Sequence, residues 1–321
     1  RRVLFRSLII KSNICKKSNY IISYNQSIMK KNDVYILEDR GLLYLNGEDV
    51  KEFLQNIITN NINNVTDEKS SFAALLSPQG KYLYDFLVIK HKSGFFLDCE
   101  KNVIEDLYKQ LNLYKLRSKV EILNLSNEFV VAALSKEKFL DLDGAKEIPG
   151  LTLKYRHDPI LLDPRNINLG ARLIINLEKL YLSLKKLELK SSEVEGYDNF
   201  SHQMGIAQKD TKSLQNKIFG IECNFDELNG IDFKKGCYVG QENTARIKLK
   251  KKLNKRLLPI KVLEGKIEDE IITFENKEVG KVIINNKYPF GLIKTNNENF
   301  SFEKIYQCGE AKIQVIKPSW L

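Results

Sequence analysis

From residue 257 onward the chain is a series of short strand patterns. Runs at 257–263, 271–275, 278–284, 290–294 and 311–317 are parted by glycine, asparagine and proline, the spacing of a small β-barrel. Before that point strands and helices are mixed. Val34 to Leu45 alternates loosely and ends at the turn pair Asn46-Gly47. Val50, Phe53, Leu54, Ile57 and Ile58 then form one apolar helical stripe, with Asp49 as its N-cap. Ala73–Leu76 and Tyr82–Ile89 read as strands around the turn Ser77-Pro78-Gln79-Gly80. Residues 101–116 have helical spacing, 129–134 read as a strand, and 173–189 are leucine-rich core. The expected layout is an α+β region over 29–250 followed by a barrel over 251–321.

One loop carries chemistry. Gly230-Ile231-Asp232-Phe233-Lys234-Lys235-Gly236-Cys237-Tyr238-Val239-Gly240-Gln241-Glu242 sets a single cysteine between two glycines, with two lysines before it and a carboxylate after it. Glycines around a thiol let backbone or ligand come close to the sulfur. Lys234, Lys235 and Arg246 are cations that would lower the thiol's pKa and favour the nucleophilic, metal-binding thiolate. The other reading of the same residues is a buried, inert cysteine at a tight turn.

The string Lys-Gly-Cys-Tyr-x-Gly-Gln-Glu, followed by Ala245-Arg246, resembles the signature of the YgfZ-type folate-binding proteins. These are relatives of the glycine-cleavage T-protein and include the mitochondrial-type iron–sulfur assembly factors. Further blocks resemble the family in order: Phe53-Leu54-Gln55 through Thr59-Asn60, the hairpin Leu76-x-Pro78-Gln79-Gly80-Lys81 with Asp85-Phe86, Tyr114-x-Leu116-Arg117-Ser118-Lys119, and Phe219 to Asn224. Two departures stand out: Gly220 and Ala207 occupy places where the family has proline. The resemblance spans 33–317 and implies an α+β fold of two interleaved subdomains, a C-terminal barrel and a central tetrahydrofolate pocket.

Site residues follow from the resemblance. It implies Cys237 as the essential thiol and Asp85 at the place of the T-protein relatives' catalytic aspartate. It implies Glu222 as the pterin contact, since a carboxylate can accept hydrogen bonds from the pterin's amino and ring N–H groups. Asn224, Tyr238, Gln241, Glu242, Arg117 and Lys235 complete the folate-binding candidates. By residue type alone, Asp85 faces either solvent or a ligand cavity. Arg117 and Lys119 either hold folate's glutamate tail or end a helix in solvent. Arg165 and Arg172 are either planar carboxylate-binding forks or structural. His202 reads as structural.

Cysteine usage and charge narrow the class. The five cysteines include no CxxC pair, which argues against a disulfide framework or zinc ribbon and for a reducing compartment. Cys223 and Cys237 lack two further nearby ligands, so a cluster on Cys237 needs a partner or a small thiol. The formal charge of +10 is concentrated at the start, where residues 1–28 hold six cations and no acid. That segment reads as a non-native leader with Met29 as the true start; a transit peptide is the competing reading. The run 247–256 holds six basic residues and reads as a linker or lysine-blunted edge strand. No aromatics interleave with it, so nucleic acid is not an expected partner. No apolar run reaches the roughly 20 residues of a membrane span.

The function implied is a monomeric, tetrahydrofolate-binding factor for assembly or repair of [4Fe–4S] proteins. Cys237 would share a [2Fe–2S] cluster with an A-type scaffold or a monothiol glutaredoxin, in a bacterial cytoplasm or, alternatively, a mitochondrial matrix. The alternative function is a tetrahydrofolate-dependent aminomethyl transferase with Asp85 as base.

Overall fold

The structure is a computed structural model that describes residues 29–250 and 253–321. The leader 1–28 lies outside the described residues. Six α-helices are described: α1 (Val50–Ile57), α2 (Ile104–Lys115), α3 (Lys136–Leu140), α4 (Leu180–Lys186), α5 (Val194–Gln203) and α6 (Gln241–Leu249).

Two sheets pack face to face. The first is five-stranded and antiparallel, in the order Ser71–Leu76, Tyr82–His91, Gly94–Glu100, Arg40–Asn46, Glu121–Asn124. The second is six-stranded, in the order Lys190–Ser192, Asp33–Ile36, Phe129–Leu134, Ala171–Asn176, Asp158–Leu162, Thr152–Tyr155. Only the pairing of Asp33–Ile36 with Lys190–Ser192 is parallel. The chain enters the second sheet at 33–36, crosses to build the first through residue 124, and returns at 129. The expected single strand from Val34 to Leu45 is therefore two strands in different sheets. A tight turn divides them, with Arg40 N–H donating to the Leu37 carbonyl.

Alternation sorts the side chains into layers. Leu43, Leu45, Phe86 and Leu97 face outward onto α1 and α2, which present Phe53, Leu54, Leu107 and Leu111. Leu42, Leu87, Ile89 and Phe96 face inward onto Val131, Ala133, Leu161 and Ile174 of the second sheet. That sheet's far face, with Ala132, Leu134 and Leu173, is covered by α3 and α4.

From Lys255 six strands close a barrel: Lys255–Glu264, Phe290–Lys294, Lys277–Ile284, Ile271–Phe274, Tyr306–Cys308, Ala311–Val315 and back to the first. Five match the expected runs. The sixth, Tyr306–Cys308, is three residues long, too short for alternation to show. The barrel joins the inter-sheet core through Leu257, Ile284 and Phe290. The His202 Nε2 bonds the Pro289 carbonyl at 2.9 Å and the Trp320 indole donates to the Met204 carbonyl at 2.8 Å. The run 247–256 is not a linker or an edge strand: α6 continues through Leu249, and Lys255 already belongs to the barrel.

A buried ionic cluster stitches the two sheets. Asp98 accepts from Arg40 Nε at 2.7 Å and from Arg172 of the opposite sheet. Asp163 is gripped by both arms of Arg165, at 3.0 and 2.7 Å. The Arg172 guanidinium also donates to Gln208 Oε1 at 3.0 Å. Burial would raise the Asp98 carboxyl, but Arg40 and Arg172 outweigh it and hold it below its ordinary value. Asp98→Asn leaves two buried guanidinium groups facing a neutral amide, so it should cost about 3–5 kcal/mol in urea unfolding. A loss under about 1 kcal/mol, as for a surface pair, would show that the cluster does not hold the sheets together.

Candidate functional site

The sequence-derived candidates fall into two places joined by one hairpin. Its first strand, Ser71–Leu76, pairs with its second, Tyr82–His91, and the register shifts where Leu75 faces Tyr84 but Leu76 faces Tyr82. The extra residue, Leu83, sets the phase of all that follows. Asp85 thereby lies on the same face as the inward Leu87, between the sheets. It accepts from the Tyr82 hydroxyl at 2.9 Å. Asp85 is half-buried between the sheets. Burial raises its carboxyl, against the opposing pull of Arg40, Arg165, the Tyr82 hydroxyl and Arg172.

Glu222 sits in the one-turn helix Gly220–Cys223. Its Oε2 accepts the Phe219 N–H at 2.8 Å, closing that turn, and its Oε1 makes no hydrogen bond among the described residues. Burial raises this carboxyl too, against the Phe219 N–H, Lys255 and Lys81. Gly220 in place of proline has a structural reason. Its N–H donates to the Gly80 carbonyl at 3.1 Å, and a Cβ would stand 2.6 Å from Leu76 Cδ2. Cys223 lies by both carboxylates. Burial, then the charges of Asp85 and Glu222, push its thiol well above the usual range. Asn224 is engaged elsewhere: its amide donates to the Leu257 carbonyl at 2.7 Å and accepts from Arg256 at 3.0 Å, docking the barrel.

The thiol loop wraps the end of α1. The Thr59 hydroxyl donates to the Gly230 carbonyl at 2.6 Å, Asp232 N–H to the Thr59 carbonyl at 3.1 Å, and Val239 N–H to the Asn56 carbonyl at 3.2 Å. Lys235 is the central anchor. Its buried ammonium donates to the carbonyls of Gln55, Ile58 and Asn60 at 2.8, 2.6 and 2.9 Å. Gln55 belongs to the last turn of α1 and Ile58 caps it, so two of these are carbonyls at a helix C-terminus, the negative end of its dipole. Burial pushes the ammonium down to about 8, so it remains charged at neutral pH. All three donors of Lys235 are used inside the protein.

Between the anchors Lys235 and Val239, the chain arches outward. A Cβ at Gly236 would meet nothing within 4 Å, and Cys237 is exposed. Cys99, Cys223 and Cys308 are buried; burial raises the first to about 12 and the last to about 11. Cys237 is therefore the one exposed thiol among the described residues. Tyr238, Gln241 and Glu242 follow it and line a surface groove. Arg117 lines a separate groove beside α1, with Glu52, Phe53 and Asn56.

The hairpin turn meets the arch. A Cβ on Gly240 would lie 2.4 Å from the Ser77 carbonyl, and Gly240 has φ +83°. Asn243 donates to the Gln79 carbonyl at 2.7 Å. One hairpin thus touches the thiol loop at its tip and carries Asp85 within. Sequence reasoning missed Asp98, Arg40, Gln208 and Thr59. A signal existed for Asp98, a carboxylate inside the apolar run Phe95–Cys99. Among the described residues no three His, Cys, Asp or Glu side chains gather as a metal site.

The sign of Asp85's contribution is checkable. Its folded-state pKa lies above the unfolded one, so its stabilisation is complete below the unfolded value of about 4 and is lost as pH rises through the folded value. Asp85→Asn removes that loss while keeping an acceptor for Tyr82. Thermal melts should show the variant gaining on the wild type as pH rises from 4 to 8 (about the range in which such a carboxyl ionises). A constant difference across that range would show that Asp85 ionises freely.

No family profile matches the chain. In sequence it is similar to the mitochondrial iron–sulfur cluster assembly factor IBA57 homologues of Dictyostelium discoideum, 27% identical over 257 residues, and Pyricularia oryzae, 30% over 229 residues. The mouse IBA57 factor is 28% identical over 247 residues. These alignments take in 72%, 70% and 71% of this chain, which spans 62%, 56% and 66% of the three relatives' lengths. All three carry mitochondrial names, so the expectation of a bacterial cytoplasm finds no support in them. In fold it matches the glycine cleavage system aminomethyltransferase T of Bartonella henselae, with a TM-score of 0.70 at 11% identity over 92% of this chain and 88% of that one. The chain is thus a homologue of the IBA57 iron–sulfur cluster assembly factors, a YgfZ-like family, built on the fold of the glycine-cleavage T-protein.

Proposed function

We propose that the chain is a tetrahydrofolate-binding assembly or repair factor for [4Fe–4S] proteins, acting through the Cys237 thiol. The observation that carries this reading is the contrast among the four cysteines of the described residues. Three are buried with raised pKa values or inside the core, and the fourth stands out on an arch anchored on both sides. A lone exposed thiol cannot hold a cluster by itself. A [2Fe–2S] cluster on it would be shared with a carrier, an A-type protein or a monothiol glutaredoxin, and passed to [4Fe–4S] clients. The relatives' names favour a mitochondrial compartment for this work.

Tetrahydrofolate would be recognised by the carboxylates of Asp85 and Glu222. A pterin presents several N–H donors on one edge, and Asp85 and Glu222 offer acceptors that are deep but not fully covered. Gln241, Glu242 and Arg117 line surface grooves beside the largely buried Tyr238, and these four would meet only the outer parts of such a ligand. Lys235 and Asn224 would act through the loop and the barrel instead of touching it.

The aminomethyl-transferase reading is favoured by one observation, the T-protein fold with Asp85 turned inward between the sheets. Complementation separates the two. In cells lacking their own assembly factor, wild type should restore a [4Fe–4S] enzyme's activity and Cys237→Ala should not. Equal rescue by both would remove the thiol from the mechanism. No rescue by either soluble protein would favour the transferase.

A further inference from the structure

A basic run that neither reading uses follows the thiol loop in the sequence. Between Asn243 and Leu263 the chain has no Asp or Glu, and it carries Arg246, Lys248, Lys250, Lys251, Lys252, Lys255, Arg256 and Lys261. Some of these cations are occupied: Lys248 pairs with Asp226, and Arg256 with Glu227 at 2.7 Å. Arg246 and Lys250 instead border the groove of about 660 Å³ that opens at Tyr238, one residue beyond Cys237. Among the described residues Arg246 donates to Asn243 alone, at 2.5 Å.

The groove is apolar between its cations. Pro78, Tyr238, Ala245 and Leu249 line it, and Leu249, the last residue of α6, is 83% exposed. Cations in a last helical turn complement the helix dipole, which accounts for Arg246 and Lys248 alone. It does not account for a leucine in solvent beside them. The acid in the groove, Glu242, sits in the first turn of α6, where it complements the dipole's positive end.

We propose that this groove docks an acidic segment of a partner protein, in which carboxylates flank a leucine- or phenylalanine-type side chain. The carboxylates pair with Arg246 and Lys250, the apolar side chain covers Leu249 and Tyr238, and the partner is held next to Cys237. Phosphates of RNA would meet the same cations. The groove, however, offers one largely buried aromatic ring and not the row of stacking faces that single-stranded nucleic acid uses. The purpose of the docking rests on Cys237 being the working thiol, but the binding does not.

The test is fluorescence anisotropy with the full chain and three labelled probes: a short peptide of Glu, Asp and Leu, its Lys-for-acid counterpart, and oligouridine RNA. The acidic peptide should bind, more weakly as salt rises. Arg246→Glu combined with Lys250→Glu should lower its affinity by about tenfold or more, and Leu249→Asp by about as much. Cys237→Ala should leave peptide binding unchanged, so a failed complementation would not touch this result. Far-UV circular dichroism and thermal melts of the groove variants should match the wild type, which reports an intact fold. Equal binding by the variants, no binding of the acidic peptide, or tighter binding of RNA would each overturn the proposal.

Discussion

The placement of the exposed thiol depends on one buried cation. Lys235 brings its ammonium to three carbonyls at the end of α1. Burying an ammonium costs several kcal/mol. Hydrogen bonds to charged groups return about 1.5–3 kcal/mol each, so three of them offset that cost without a carboxylate partner. The helix end gains as well, because its unpaired carbonyls find donors. The loop is bound to the helix by its lysine, and the next two residues are pushed clear of it. Gly236 has open space where a side chain would be, and Cys237 follows into solvent.

The same hairpin serves the interior and the surface. Its turn rests against Gly240, where no Cβ fits, and its second strand turns Asp85 between the sheets. A displacement of the loop would therefore be felt at the hairpin tip, and a ligand at Asp85 would bear on the strand that carries that tip. Around Asp85 the charges are arranged by the two sheets jointly. Arg40 and Asp98 come from one sheet, Arg172 from the other, and Asp163 and Arg165 from the segment that follows the second sheet's strand Asp158–Leu162. The interior can carry so many charges because nearly every one has a partner of opposite sign.

Much of this was legible in the chain, and the gaps have physical causes. The stripe of α1 and five barrel strands showed because periodicity records which face is buried. The split of Val34–Leu45 between two sheets did not, since both halves are apolar and alternate and the division is a tertiary matter. Neither did the helical state of 241–249: its pattern is mostly polar, and α6 buries only Thr244. At the site, the motif marked Lys235 for a ligand, whereas its length and burial send it to the helix end. Asn224 similarly spends its amide on the barrel. For Cys237 the residue types allow both an exposed, reactive thiol and a buried, inert one, and composition does not decide between them. That question turned on Lys235's three acceptors, which lie 175 to 180 residues away in sequence.

The most direct measurement mixes the full chain with [2Fe–2S]-loaded monothiol glutaredoxin and follows the cluster by visible circular dichroism. The account predicts a changed cluster spectrum with the wild type, saturating as the two proteins reach equal amounts, and the glutaredoxin spectrum alone with Cys237→Ser. Identical spectra for the two proteins would contradict it, because the exposed thiol would then take no part in holding the cluster.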